Sequence, residues 1–213
     1  MSYARLVRRR RIFFVNVEHD LVRAYFEENN FLVSQVERSI SEITKKKINL
    51  AVFSVLNTDC TENPQKLNFR VYTGDLNRIR NAHVTLLSWQ DTSFSNGLLS
   101  SDTKLLKFFH QILDSNQKKN DSNSLINSKL DNSAFRLLVV PALPKIESKC
   151  QELFHYLKSI GFDGVFTLSS ILENLLRHSI TSNLSSNYGV FHLLKLLKTY
   201  GLATEPQLDI FNN

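Results

Sequence analysis

The residues after the apolar run Arg11 to Val17 (RIFFVNV) stand where a strand turning into a helix would hold a phosphate. A phosphate cradle needs the spacing GxxxxGK followed by Ser or Thr. Its glycines let successive backbone N–H groups converge on phosphate oxygens, and its lysine neutralises them. Here the turn reads Val17-Glu18-His19-Asp20, with two carboxylates and neither glycine nor lysine. An anion placed there meets like charge and no converging amides. Other chemistry-bearing residues are equally sparse. The six histidines are scattered and no pair stands at the HExxH spacing, so they read as ordinary surface or core residues. Ser88 and Ser169-Ser170 fall near strand ends, where open α/β sheets place active sites. No GxSxG elbow surrounds them, and helix capping or turn formation accounts for the hydroxyls. Cys60 and Cys150 have no metal-type spacing and form no disulfide framework, and Cys150 reads as a core residue. No catalytic residue, metal ligand or cofactor is expected.

The elements that would position any site follow from periodicity. Arg11 to Val17 has the branched and aromatic composition of a strand buried on both faces. Leu21, Val22, Tyr25 and Phe26 then recur at helical spacing before an Asn29-Asn30 stop. Ile48 to Leu56 and Leu67 to Tyr72 predict two strands of an antiparallel hairpin around a polar connection, and Ala82 to Trp89 a further strand. Ser100 to Asp102 is placed to cap a helix whose apolar face is Leu105, Leu106, Phe108, Phe109, Ile112 and Leu113. Residues 114–133 are rich in Asn, Ser, Lys and Asp without useful periodicity and read as a flexible surface insertion. Phe135 to Val140 predicts a strand ended by Pro141 and Pro144. A helix follows with Ile146, Cys150, Leu153, Phe154, Leu157 and Ile160 on one stripe and Gly161 as its stop. Gly164 to Leu168 is a short strand and Ile171 to Ile180 another helix. After a linker at 181–188, Val190 to Tyr200 (VFHLLKLLKTY) forms a helix apolar on more than one face, which something must cover: its own domain, a partner, or each on a different face.

Strand, helix, hairpin, then strands alternating with helices predicts a mixed six-stranded α/β sheet. One antiparallel edge pair accompanies five parallel strands, with helices on both faces. This order over residues 10–180, with LNFRVYTGDLNRI followed by AHVTLLSWQDTSF, resembles the small Ras-like GTPases. The resemblance implies a GTPase-like domain over 1–180, with residues 181–213 as a linker and apolar docking segment. That family's chemistry is missing where it should stand. The magnesium-side DxxG motif would require aspartate at Val71, leaving only Gly74 in register. The guanine-reading NKxD motif falls at Pro141-Ala142-Leu143-Pro144, which offers a base edge no hydrogen-bonding side chain. Domain 1–180 therefore reads as a pseudo-GTPase and not an enzyme.

A narrower resemblance follows from the run Tyr188 to Leu197 (YGVFHLLKLL), with Glu205-Pro206-Gln207-Leu208-Asp209 after it, and from AHVTLLSWQDTSFSNGLLSSDTKLLKFF. These are similar to the centromere protein M family, GTPase-shaped kinetochore subunits without nucleotide motifs. The chain departs from that family in a longer region before Leu67 and in the Asn/Ser-rich stretch. The resemblance implies a nuclear scaffold of the inner kinetochore, the constitutive centromere-associated network, acting in chromosome segregation and cell division. It further implies docking on a helical-repeat partner like centromere protein I, alongside centromere proteins H and K. The partner-facing positions it implies are Val190, Leu193, Leu194 and Leu197, with Ile112 and Leu113 at the end of the third helix.

Composition bounds the alternatives. The chain has 213 residues, enough apolar side chains for a real core, and no run long enough to cross a bilayer, which with the Arg-rich N-terminus predicts a soluble intracellular protein. A net charge of +6 favours acidic partners and leaves a nucleic-acid-binding or DNA-repair accessory domain as the alternative. The charge concentrates in Arg8 to Arg11 and Lys45 to Lys47, however, just before apolar runs that basic residues commonly flank. A pseudo-GTPase adaptor in membrane traffic is a third reading, and an enzyme with an unrecognised site at the strand ends a fourth.

Overall fold

The computed structural model describes residues 16–43, 46–60, 67–90, 92–120, 134–179 and 189–204, with the backbone alone at 35–43, 46–49 and 115–120. Its first element is a capped helix, α1 (Val17–Glu28). The Asn16 side-chain oxygen accepts the N–H groups of Glu18 at 3.1 Å and His19 at 3.4 Å, satisfying donors that have no partner inside a helix. The strand expected over Arg11 to Val17 therefore loses its last two residues to this helix and cap, and residues 11–15 lie outside the described residues. The Asn29-Asn30 stop holds: Asn30 adopts φ 64°, a left-handed conformation that asparagine tolerates.

Next comes a hairpin that differs from the expected one. Strand β1 (Phe31–Ile43) pairs antiparallel with β2 (Lys46–Asn57), with a register shift between Val36 and Ser39. The sequence reading assigned 31–43 to no strand and paired β2 with Leu67 to Tyr72. Residues 67–72 instead make a single parallel bridge, Arg70 to Val165, and then enter a 3-10 turn at Thr73–Arg78.

Strand β2 lies directly against β3 (Asn81–Leu86), antiparallel from Ala51/Leu86 to Leu56/Asn81. Strand β3 pairs parallel with β4 (Phe135–Val140), and β4 parallel with β5 (Gly164–Thr167). The described sheet thus has five strands in the order β1-β2-β3-β4-β5, with two antiparallel and two parallel pairings. The expectation of five parallel strands is corrected accordingly. With β2 on one edge of β3 and β4 on the other, no slot is left beside β3.

Helices cover both faces, as the alternation requires. A one-turn helix α2 (Asn96–Leu99) leads into α3 (Asp102–Asn120), and α4 (Glu147–Ser159) links β4 to β5. Their Leu105, Phe109, Leu153 and Leu157 pack with Leu138, Val140 and Val165 on one face. The other face carries α1, α5 (Leu168–His178) and α6 (Gly189–Thr199), with Tyr25, Phe26, Ile171, Leu175 and Phe191 over Phe53, Val84, Leu137, Val139 and Phe166. Successive residues of β4 thus feed opposite layers, each buried Leu or Val contributing about 1.5–3 kcal/mol. Residues 114–120, read as part of a surface insertion, continue α3, and 121–133 lie outside the described residues. Helix α4 ends as predicted. Gly161 sits at φ +90°, where the N–H groups of Gly161 and Phe162 reach back to Lys158 O (3.0 Å) and Leu157 O (3.1 Å). The linker at 181–188 and the basic clusters at Arg8 to Arg11 and Lys45 to Lys47 have no described side chains.

Candidate functional site

In an open α/β sheet a ligand crevice forms outside the carboxyl ends of the parallel strands, where backbone N–H groups and helix N-termini point outward. Here several of those donors are taken by the chain's own side chains. At the end of β3, the Glu18 carboxylate accepts the N–H of Trp89 through one oxygen at 2.9 Å and that of Gln90 through the other at 3.0 Å. At the end of β4, Asp102 accepts the N–H of Ile146 at 2.7 Å. At the end of β5, Thr167 Oγ1 accepts the N–H of Ser170 at 3.3 Å and lies 3.0 and 2.8 Å from the Ser169 and Ser170 hydroxyls. Glu18, which seemed merely unfit for phosphate, therefore acts as an internal anion, and Asp102 acts as a second. Glu18 ties α1 to the β3 loop, and Asp102 ties α3 to the loop before α4.

The serines resolve the same way. Ser88 is fully buried with its carbonyl bonded to the Thr92 hydroxyl at 2.6 Å, and Ser169-Ser170 belong to the cap of α5. Trp89 packs its ring 4.6 Å from Phe94, and Cys150 is a buried free thiol whose pKa burial pushes up. Between α3 and α4 the Tyr156 hydroxyl donates to Asp114 at 2.5 Å while its ring lies 3.8 Å from that of His110. The trio links α3 to α4 as a clamp, and burial, then the Asp114 hydrogen bond, raises the phenol above its ordinary range. Among the described residues, no three His, Cys, Asp or Glu side chains gather as metal ligands, and no helix is long and apolar enough to cross a membrane.

The Asp102 bonds have a pH signature. The backbone N–H of Ile146, then that of Lys145, and to a smaller extent the Lys145 charge hold its carboxyl below the ordinary aspartate range. A depressed folded-state pKa contributes stability that is present above the unfolded value of about 3.9 and lost as pH falls through the lower folded value. The melting-temperature gap between the natural chain and Asp102→Asn should therefore be constant from pH 7 to about 5 and close below about 4. A gap that stays open in acid would show that the charge of Asp102 contributes nothing.

Apolar surface gathers at α6. Phe191 is 1% exposed and anchors the helix in the layer of α1 and α5, with Val190 and Leu194 half-buried beside it. Lys198 Nζ donates to the last carbonyls of α5, Leu176 O at 3.1 Å and Arg177 O at 3.3 Å, capping that helix from its neighbour. The opposite side is open to solvent: Leu193 is 51%, Leu196 38%, Tyr200 73% and Leu202 76% exposed. Leu193, Leu196 and Tyr200 follow an i, i+3, i+7 stripe.

The expected partner-facing residues divide. Leu193 lies on the open stripe, Leu197 is partly exposed beside it, and Val190 and Leu194 turn largely inward. Ile112 and Leu113 do not belong with them. They are 2% and 4% exposed, pack in the core between α3 and the sheet, and sit in the middle of α3, which runs on to Asn120. Leu196, Tyr200 and Leu202 were missed, because on a helix apolar nearly all round the sequence offers no signal for which side is covered. Compared with protein-family models, curated proteins and solved structures, the chain matches none.

Proposed function

We propose that this chain is a non-enzymatic structural subunit of the inner kinetochore that presents the outer stripe of α6 to a helical-repeat partner of the centromere protein I type. The observation that carries the docking role is the geometry of α6: Phe191 and Lys198 hold it to the domain while Leu193, Leu196 and Tyr200 face water. An apolar stripe of that spacing fits a groove between helices, where burial of leucine and tyrosine drives association. The non-enzymatic reading is supported by the edge of the sheet at which ligands would gather, where Glu18, Asp102 and Thr167 accept the N–H groups of Trp89, Gln90, Ile146 and Ser170. The assignment to the kinetochore, with centromere proteins H and K, rests on the resemblance of residues 82–109 and 188–209 to the centromere protein M family.

The small-GTPase-like layout belongs to the same proposal. Its support is the antiparallel hairpin followed by the run β3-α2-α3-β4-α4-β5-α5, in which helices separate successive strands. The direct pairing of β2 with β3 is where the described sheet departs from it.

Affinity purification of the tagged full chain tests the proposal. Centromere protein I should co-purify with the natural chain, and Leu193→Asp with Leu196→Asp should abolish its recovery while leaving the circular dichroism melt unchanged, since both side chains are already exposed. Undiminished recovery by that variant would sink the docking surface. Recovery of an unrelated partner, lost with the same substitutions, would keep the surface and remove the kinetochore.

A further inference from the structure

Ordered backbone continues past the last helical residue of α6. The N–H of Tyr200 reaches Leu196 O at 2.9 Å, that of Gly201 reaches Lys198 O at 3.1 Å, and those of Leu202 and Ala203 converge on Leu197 O at 2.8 and 3.2 Å. Gly201 sits at φ +69°. A left-handed glycine bonded three residues back, followed by a residue bonded five back, closes the helix end: it satisfies the last carbonyls and fixes the direction of the chain after them. In such a cap the residue after the glycine lies beside the one five before it, and the two apolar side chains commonly bury each other. Here that pair is Leu202 and Leu197, yet Leu202 stays 76% exposed, as far out as Tyr200 at 73%. Closing the helix therefore leaves the Leu202 side chain unused. Leu197 follows Leu193 by one turn on the open side of α6, so the cap sets Leu202 at the end of the stripe of Leu193, Leu196 and Tyr200.

We propose that the Gly201 turn belongs to the docking surface of α6 and presents Leu202 as an anchor for a second pocket, beyond the groove that takes the helical stripe. The inference rests on the docking role proposed for α6 and adds specificity to it: the partner must offer a pocket off the helix axis as well as a groove along it. The occupant it fits is a groove between helices with an acidic rim, and not a second copy of this chain. Residues 189–204 contain Lys195, Lys198 and the exposed His192 but no Asp or Glu, so two copies packed stripe to stripe would oppose lysine to lysine. Gly201 is the positioning residue. A Cβ there would meet nothing within 4 Å, so what the position demands is the left-handed backbone that glycine adopts freely and asparagine tolerates.

The test measures the affinity of the full chain for centromere protein I by biolayer interferometry, with circular dichroism melts as the check on folding. Leu202→Asp should weaken binding roughly 10-fold with an unchanged melt, since the side chain is already in water. Gly201→Ala should weaken it roughly 5-fold, although alanine meets no neighbour, because alanine resists the conformation that holds the turn. Gly201→Asn, with the larger side chain, should stay within about 2-fold of the natural chain. Gly189→Ala, the same change at the other end of α6 where φ is not positive, should bind like the natural chain. Binding should also weaken as salt rises. If Leu193→Asp with Leu196→Asp removes binding while Leu202→Asp and Gly201→Ala leave it unchanged, the stripe docks without the turn and this inference falls alone. If the stripe variant binds normally, or the natural chain does not bind, the docking role falls with it. Gly201→Asn binding as poorly as Gly201→Ala would remove Gly201 as a positioning residue, and salt-independent binding would remove the acidic rim. A dimer of the natural chain in sedimentation that Leu202→Asp dissociates would make a second copy the occupant and overturn the proposal.

Discussion

Replacing Phe191 with alanine is expected to release α6 from the domain while the rest of the fold stays intact. Phe191 is buried to 1% exposure, and among the described residues half-buried Val190 and Leu194 and two hydrogen bonds from Lys198 also hold α6. Truncating a buried phenylalanine costs about 3 kcal/mol or more. An 11-residue helix is marginal in water without a packed face, so the loss falls on local docking and not on global stability. Amide exchange over 189–204 should accelerate roughly 100-fold, the equivalent of about 3 kcal/mol, while β4 and β5 amides keep their protection. Partner recovery should fall with it, although Leu193, Leu196 and Tyr200 are untouched, because a stripe on a detached helix must be reordered on binding. Unchanged exchange over 189–204 would mean that α6 is held by something other than Phe191. Lys198→Met should act in the same direction with a smaller effect, since each neutral carbonyl partner it loses contributes about 1 kcal/mol.

Glu18→Lys should give the larger global loss, about 3 kcal/mol by denaturant titration. The Glu18 carboxylate is the shared acceptor of two consecutive N–H groups across 71 and 72 residues of chain. A lysine there would leave both donors without that acceptor and set a positive charge among N–H groups at the positive end of α1. Glu18→Gln, whose amide oxygen can still accept one of the two bonds, should lose about half as much. Equal stability of all three proteins would show that water replaces the carboxylate without cost. The paired result measures how firmly Glu18 ties α1 to the loop after β3.

Glu18 also shows where sequence reasoning stops. Its charge and the missing glycines excluded a phosphate cradle from composition alone, but that it serves as a bidentate acceptor for Trp89 and Gln90 depends on a loop more than seventy residues away. The same division runs through the fold. Helices α1 and α4, strands β4 and β5, and the stop at Gly161 were legible because each combines a clean apolar period with a local terminator, and both are local properties. Strand β1 was not. Its sequence, FLVSQVERSISEI, lacks a sustained apolar period, and a register shift between Val36 and Ser39 breaks what alternation there is, so its strand character comes from pairing with β2. Leu67 to Tyr72 misled in the opposite sense, with strand composition but only one bridge, to β5. The extension of α3 through Asn120 was hidden for a related reason: its polar last turns carry no apolar stripe.

The two leucine-rich stripes mark the limit most sharply. Ile112 with Leu113 and Leu193 with Leu196 look alike as sequence, each on one side of an apolar helix. By itself the sequence determined that this chain builds an α/β domain with no phosphate cradle and an apolar final helix. Only the tertiary structure decided that α3 packs beside α4 on one face of the sheet with its leucines consumed, while α6 is covered on one side and leaves the other to water. The physical reason is that hydrophobicity fixes how strongly a face seeks burial, whereas what covers it depends on neighbours far away in the chain.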